Sequence, residues 1–226
     1  MLPADKSTRI IDVGAGTGYF CKVLQDQGYK NVEACDMDKE SFGLPSIPFY
    51  QANLNEHIPV EDEQFDLSVS IEVVEHIENQ FNFIKEMMRV TKVGGTLIIT
   101  TPNTTSLISR IYFLLYGYSD AAPYPIDPHV KDFYLKHIHP ISITQLLLLI
   151  ERNNGEIVEL TTNRFRPKTL FLYYLVKPVL SLLIRMRFLR KKSKAHHDLY
   201  KRHINLMVSE ANLRGRITII KVKRVR

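Results

Sequence analysis

Residues 12–18 read Asp12-Val13-Gly14-Ala15-Gly16-Thr17-Gly18, just after the apolar run Arg9 to Val13 and just before a helical pattern, Tyr19 to Gln27, stopped by Gly28. A buried strand that enters a glycine turn and leaves as a helix opens a parallel α/β unit. Glycines suit such a turn because they accept positive φ and because a Cβ would keep the backbone from a ligand. The helix after the turn adds unpaired N–H donors, which fit a carboxylate or a phosphate equally. Spacing separates the two. Dinucleotide sites use G-x-G-x-x-G, whereas here the third glycine comes after one residue and Asp12 precedes the first. That pattern favours a nucleoside carrying an amino acid over a pyrophosphate.

The unit repeats along the chain. Asn31 to Cys35, Pro48 to Gln51 and Phe65 to Ser70 read as strands two to four, and Ile77, Phe81, Ile84 and Met88 fall on one face of a helix. Gly94 and Gly95 turn into a fifth strand, Thr96 to Thr100, closed by Pro102. Ile143, Leu146, Leu147 and Ile150 mark another amphipathic helix, Glu156 to Leu160 a further strand, and Arg216 to Val222 the last. Residues 103–140 come after strand five, where open α/β sheets place ligand loops, and are expected to form a lid. Its apolar stripe is Leu107, Ile108, Ile111, Leu114 and Leu115, and beyond the stripe Pro123, Pro125 and Pro128 break any regular element. Residues 163–212 form a second insertion, basic and apolar, before the last strand.

A chain of 226 residues with 45% hydrophobic and 24% charged residues is long enough for a sizeable core, which excludes disordered and fibrous classes. We read residues 1–226 as a single domain carrying the two insertions. The two cysteines, Cys21 and Cys35, cannot build a disulfide framework or a cysteine-based zinc site, and the stretch MLPADKSTRI has no signal-peptide apolar run. A cytoplasmic location is expected. The net charge of +6 is uneven: Arg164 to Arg202 holds twelve Lys/Arg against the single acid Asp198, an excess of eleven that leaves the rest at −5. Such a segment points to phosphate, of a membrane or of nucleic acid, or to a solvated face.

The motif Asp12 to Gly18 is similar to motif I of the class I S-adenosylmethionine-dependent methyltransferases, and the resemblance continues in order. Asp36, 24 positions after Asp12, matches the acid that in this family binds both ribose hydroxyls; Gln51-Ala52-Asn53-Leu54 matches the adenine-contacting stretch, with Asn53 where Asp is commoner. Ile71-Glu72-Val73-Val74-Glu75-His76-Ile77 resembles the family's EVLEHI signature and Thr101-Pro102-Asn103 its TPN. The resemblance covers roughly residues 8 to 160 and the last strand. It implies a Rossmann-like, mostly parallel seven-stranded sheet of order 3-2-1-4-5-7-6, helices on both faces, and S-adenosylmethionine as cofactor. The cofactor-binding residues it implies are Asp12, Gly14, Ala15, Gly16, Gly18, Asp36, Met37, Asn53, Leu54 and Ile71. The helices that usually precede motif I are absent from the sequence; either the expected lid replaces them or the chain is a fragment.

Methyl transfer from a sulfonium is an in-line displacement, and a base is needed only where the acceptor must lose a proton, as a hydroxyl must. His76, Glu72 and Glu75 sit where such a base belongs. On a helical turn the three project to one side, so they could also bind a divalent metal. This spacing resembles metal-binding turns of small-RNA 2′-O-methyltransferases and ubiquinone-pathway O-methyltransferases, which makes His137 or His139 the fourth ligand. Plain positioning by His76 is the other reading, and the metal stays open. The Asn/Asp-Pro-Pro-aromatic box of nucleobase amino-methylating enzymes is replaced by Ser70-Ile71-Glu72-Val73, which favours a hydroxyl on a small-molecule or lipid-linked acceptor. A NAD-dependent oxidoreductase and a non-catalytic scaffold are the rivals.

Leu170 to Ile184 is an apolar run of 15 residues, about 22 Å as a helix, short of the ~30 Å hydrocarbon core. With Lys177-Pro178 at its middle it is expected to form a two-armed hairpin on an anionic membrane surface, with Arg185, Arg187, Arg190, Lys191 and Lys192 on headgroups. Burial against the protein or in a homodimer is the alternative, and nucleic acid ranks last.

Overall fold

The computed structural model describes residues 1–121, 137–189 and 194–226. Pro123, Pro125 and Pro128 of the expected lid, and Arg190, Lys191 and Lys192 of the basic segment, lie outside them. Seven strands form one sheet in the order β3-β2-β1-β4-β5-β7-β6. They are β1 (Arg9–Val13), β2 (Asn31–Asp36), β3 (Phe49–Gln51), β4 (Phe65–Ile71), β5 (Thr91–Pro102), β6 (Gly155–Thr161) and β7 (Ile217–Arg224). The pairs β1–β2, β1–β4, β2–β3 and β4–β5 are parallel. This is the Rossmann-like order that the family resemblance implies.

By contact density the chain divides into two units. One comprises Met1–Thr101, Leu148–Glu159 and Ile220–Arg226, the other Pro102–Leu147 and Leu160–Ile219. In the first, Ile10, Ile11, Leu67, Val69, Leu97 and Ile99 are buried in the central strands. Parallel strands covered on both faces read as such continuous apolar runs. Two helices pack here, α1 (Tyr19–Asp26) and α2 (Gln80–Val90). α2 starts where the Asn79 side chain accepts a bond from the Asn82 N–H, and it buries Phe83, Ile84 and Met87. Ile77 lies outside α2, on extended backbone after a 3-10 turn at Val74–His76. β5 begins at Thr91, so Gly94 and Gly95 lie inside the strand, at a register shift against β4, rather than in a turn before it.

The second unit holds α3 (Leu107–Tyr116), α5 (Leu170–Leu189), α6 (Lys194–Met207) and α7 (Glu210–Arg214); the residues of α4 (Ile143–Arg152) are shared between the two units. Its core gathers Leu107, Tyr173, Val208 and Leu213, with Leu172, Val176, Leu180 and Ile184 of α5 packed against them. Asn103 ties the chain down from inside: its side-chain amide donates to the carbonyls of Asn212 (2.7 Å) and Gly215 (3.1 Å). Ile111, Leu114 and Leu115 of the α3 stripe are exposed. One expectation is corrected: α5 does not break at Lys177-Pro178 but runs 20 residues with Pro178 inside, about 30 Å at ~1.5 Å per residue, and packs against α6 beyond it.

Candidate functional site

In parallel strands the carboxyl ends share one edge, and there the first unit concentrates its polar chemistry. The loop after β1 turns through Gly14 (φ 83°), Gly16 (φ 52°) and Gly18 (φ 87°). The glycines serve different ends. A Cβ on Gly14 would stand 2.3 Å from the Val73 side chain, so that glycine admits the neighbouring loop. A Cβ on Gly16 would meet nothing within 4 Å, so there the backbone itself faces open space. The Gly14 and Ala15 N–H groups donate to the Cys35 carbonyl at 2.8 and 3.2 Å, clamping the loop to β2. Gly18, left-handed, precedes α1 without any side-chain cap, which leaves N–H donors at the helix start.

Asp36 ends β2. Its Oδ2 accepts from the Gly16 N–H at 2.8 Å and its Oδ1 from the Asp38 N–H at 3.1 Å, which leaves lone pairs on both oxygens for hydroxyl donors. The Gln51 side-chain amide donates to the Met37 carbonyl (3.0 Å) and the Ala52 N–H to the Asp36 carbonyl (2.9 Å). The ends of β2 and β3 are thereby locked together, with Met37 and Asn53 exposed and Leu54 buried beside them. Asn53 donates to Glu56 Oε1 and accepts from the Asn55 N–H. Asn55 is a residue that sequence reasoning does not find: its Oδ1 accepts from the N–H groups of Glu78 and Asn79 at 2.9 and 3.0 Å, tying this loop to the start of α2. No spacing signal marks it, because its partners are more than 20 residues away.

Beneath the glycine loop Asp12 is buried, its Oδ2 accepting from the Cys21 thiol at 3.3 Å. Burial pushes its carboxyl up to about 7, with a smaller push from the Asp36 charge and a counteracting pull from the Cys21 bond. Burial, then Asp12, push the Cys21 thiol up as well, so it stays a donor.

Past β4, whose Ile71 pairs with Thr100 of β5, Glu72 adopts φ 55°, a left-handed conformation rare for a side-chain-bearing residue. It is held by Thr100: the Glu72 N–H donates to Thr100 Oγ1 (3.0 Å), and that hydroxyl donates to Glu72 Oε1 (2.8 Å). Glu75 is fully buried and its Oε2 accepts from the Thr101 hydroxyl at 3.0 Å. Successive strand residues point to opposite faces, so Thr100 and Thr101 draw the two carboxylates apart. The expectation that Glu72, Glu75 and His76 share one side of a helical turn therefore fails; only residues 74–76 form the turn. Glu75 and His76 remain together, with Nε2 4.0 Å from Glu75 Oε1 and the imidazole partly exposed. His137 belongs to the second unit, its Nδ1 2.8 Å from the Ala121 carbonyl oxygen.

A glycine backbone open to a ligand, an acceptor-only acid beside it and an uncapped helix start fit a nucleoside with a charged amino-acid tail, so the residues present suit S-adenosylmethionine. The fold is a Rossmann-like α/β domain with this polar edge at the carboxyl ends of its parallel strands. Residues 11–99 match the family model described as "Methyltransferase domain". The chain is 27% identical over 180 residues, 71% of its length and 53% of the relative's, to the mitochondrial ubiquinone biosynthesis O-methyltransferase of Dictyostelium discoideum. It is 28% identical over 107 residues, 43% of its own length and 42% of the relative's, to the ubiquinone biosynthesis O-methyltransferase of Maricaulis maris. The solved S-adenosylmethionine-dependent methyltransferase of Mesorhizobium loti shares its fold at TM-score 0.57, with 16% identity over 99% of this chain and 94% of that one. Residues 11–99 thus match a methyltransferase domain, and the Mesorhizobium loti protein of like fold is named for its dependence on S-adenosylmethionine. The chain spans about half the length of the curated relatives it matches. The nicotinamide-dependent reading gains no support from these matches.

Proposed function

We propose that this chain transfers the methyl group of S-adenosylmethionine to a hydroxyl oxygen of a small-molecule or lipid-linked acceptor. The observation that carries the reading is His76, partly exposed and backed by a buried carboxylate, on the same edge of the sheet as the glycine loop and Asp36. The cofactor, when bound, supplies an electrophilic methyl group on a sulfonium. Asp36, braced by the Gly16 N–H, would hold the ribose, and Asn53 and Leu54 would border the base. His76 takes the acceptor's hydroxyl proton as the oxygen attacks, and Glu75 orients the imidazole and offsets its positive charge. Two relatives named ubiquinone biosynthesis O-methyltransferases support an oxygen acceptor. A divalent metal on His76 and Glu75 is the second reading, supported by the donor types alone.

Replacement His76→Ala tests the first reading: turnover is lost while S-adenosylhomocysteine affinity stays within a few-fold. An active His76→Ala enzyme overturns it. Inhibition by EDTA, restored by added divalent ion, selects the metal reading over the proton-transfer one.

A further inference from the structure

We infer that α5 docks the second unit on an anionic membrane surface, lying in the plane of the interface. The inference does not rest on the methyl-transfer reading. By length and composition Pro167–Arg187 could cross a membrane. Its packing argues otherwise. Leu172, Tyr173, Val176, Leu180 and Ile184 form one stripe, held against Leu107, Val208 and Leu213 of the unit's own core. A helix with one side committed to protein cannot present its whole circumference to lipid. The opposite stripe is apolar too, and open: Phe171, Leu175, Val179, Leu182 and Met186 recur at helical spacing, Phe171 80% exposed and Leu175 62%. Large open apolar surface of this kind marks an interaction site.

Charge identifies the occupant. Lys168 stands exposed just before the helix, and Arg185 and Arg187 are exposed near its end, so cations flank the apolar stripe at both ends. No Asp or Glu occurs from residue 160 to residue 197. A second copy of the chain would bring these like charges together, whereas an anionic surface neutralises them while the stripe enters the acyl boundary. Exposed apolar residues of α3, among them Phe113 and Leu114, belong to the same unit and add surface of the same kind.

The test is co-sedimentation of the full chain with vesicles of phosphatidylcholine alone and of phosphatidylcholine with phosphatidylglycerol. Binding is expected to the anionic vesicles and to weaken with salt. Arg185→Gln with Arg187→Gln should reduce it about 25-fold, at roughly fivefold per basic residue near the surface. Leu175→Glu with Leu182→Glu should abolish it at any salt, with circular dichroism and unfolding midpoint unchanged because both side chains are exposed. Equal pelleting of all three proteins, or none at low salt, overturns the inference. So does a concentration-dependent dimer that the Leu175→Glu, Leu182→Glu variant dissociates, or tighter binding to duplex RNA than to the vesicles.

Discussion

Thr100 and Glu72 are joined twice through one hydroxyl: Thr100 Oγ1 accepts from the Glu72 N–H at 3.0 Å and donates to Glu72 Oε1 at 2.8 Å. The hydroxyl thus fixes both the backbone and the carboxylate of a residue in left-handed conformation, at the edge where the glycine loop and Asp36 also lie. Strain of this kind costs on the order of 1–3 kcal/mol and persists only where the surroundings enforce it. Thr100→Val removes the enforcing group and keeps the shape. It should lower stability by about 1–2 kcal/mol, the range of a hydrogen bond to a charged group partly replaced by water. Glu72→Gly should cost less, because glycine takes positive φ without strain. Urea unfolding of both variants checks this, and a Thr100→Val protein as stable as the parent contradicts it.

Glu72 and Glu75 should also differ in function. Thr101 and full burial hold Glu75 beside His76, while Glu72 is drawn to the other face of β5. Glu75→Gln, which keeps an acceptor for Thr101 but removes the charge behind His76, should lower kcat by about 10-fold or more, with KM for the cofactor little changed. Steady-state kinetics read the split. Equal losses for Glu72→Gln and Glu75→Gln would point to a shared role, such as one metal site.

Asp12 predicts a pH dependence of stability. Its folded carboxyl is raised from 3.8 to about 7, so the folded state holds the proton more tightly than the unfolded chain. Stability from this group is therefore full below the ordinary carboxylate range and declines as pH rises to about 7, above which the buried charge carries its whole cost. At ~1.36 kcal/mol per pH unit the cost is roughly 4 kcal/mol. Asp12→Asn should be more stable than the parent above pH 7, with the difference vanishing in acid. Denaturation midpoints of the pair across pH measure it; a difference independent of pH contradicts the assignment.

The strands and the glycine turn are legible in the sequence because their signals are local, while the strand order follows from the family resemblance. The glycine turn, Asp36 at the end of β2 and the apolar runs of buried parallel strands each lie within a few consecutive residues. The features that stay hidden depend on pairing across the chain. The parting of Glu72 from Glu75 comes from the register that sets Ile71 against Thr100, which no spacing within residues 71–77 reveals. Cys21 as donor to Asp12 and Asn55 as the tie to α2 are of the same kind. In α5 the proline rule is outweighed by tertiary packing: the stripe from Leu172 to Ile184 is anchored on both sides of Pro178.

Asp36 carries the central claim, that this edge binds the nucleoside of S-adenosylmethionine. The direct measurement is calorimetry of S-adenosylhomocysteine with the parent chain and with Asp36→Ala. The carboxylate's two charge-assisted bonds are each worth on the order of 1.5–3 kcal/mol before water compensates, so losing the equivalent of one weakens binding about 10- to 100-fold. The account predicts saturable binding to the parent, that loss in Asp36→Ala, and no binding of NAD to either. A parent chain that does not bind S-adenosylhomocysteine, or that binds NAD more tightly, contradicts it.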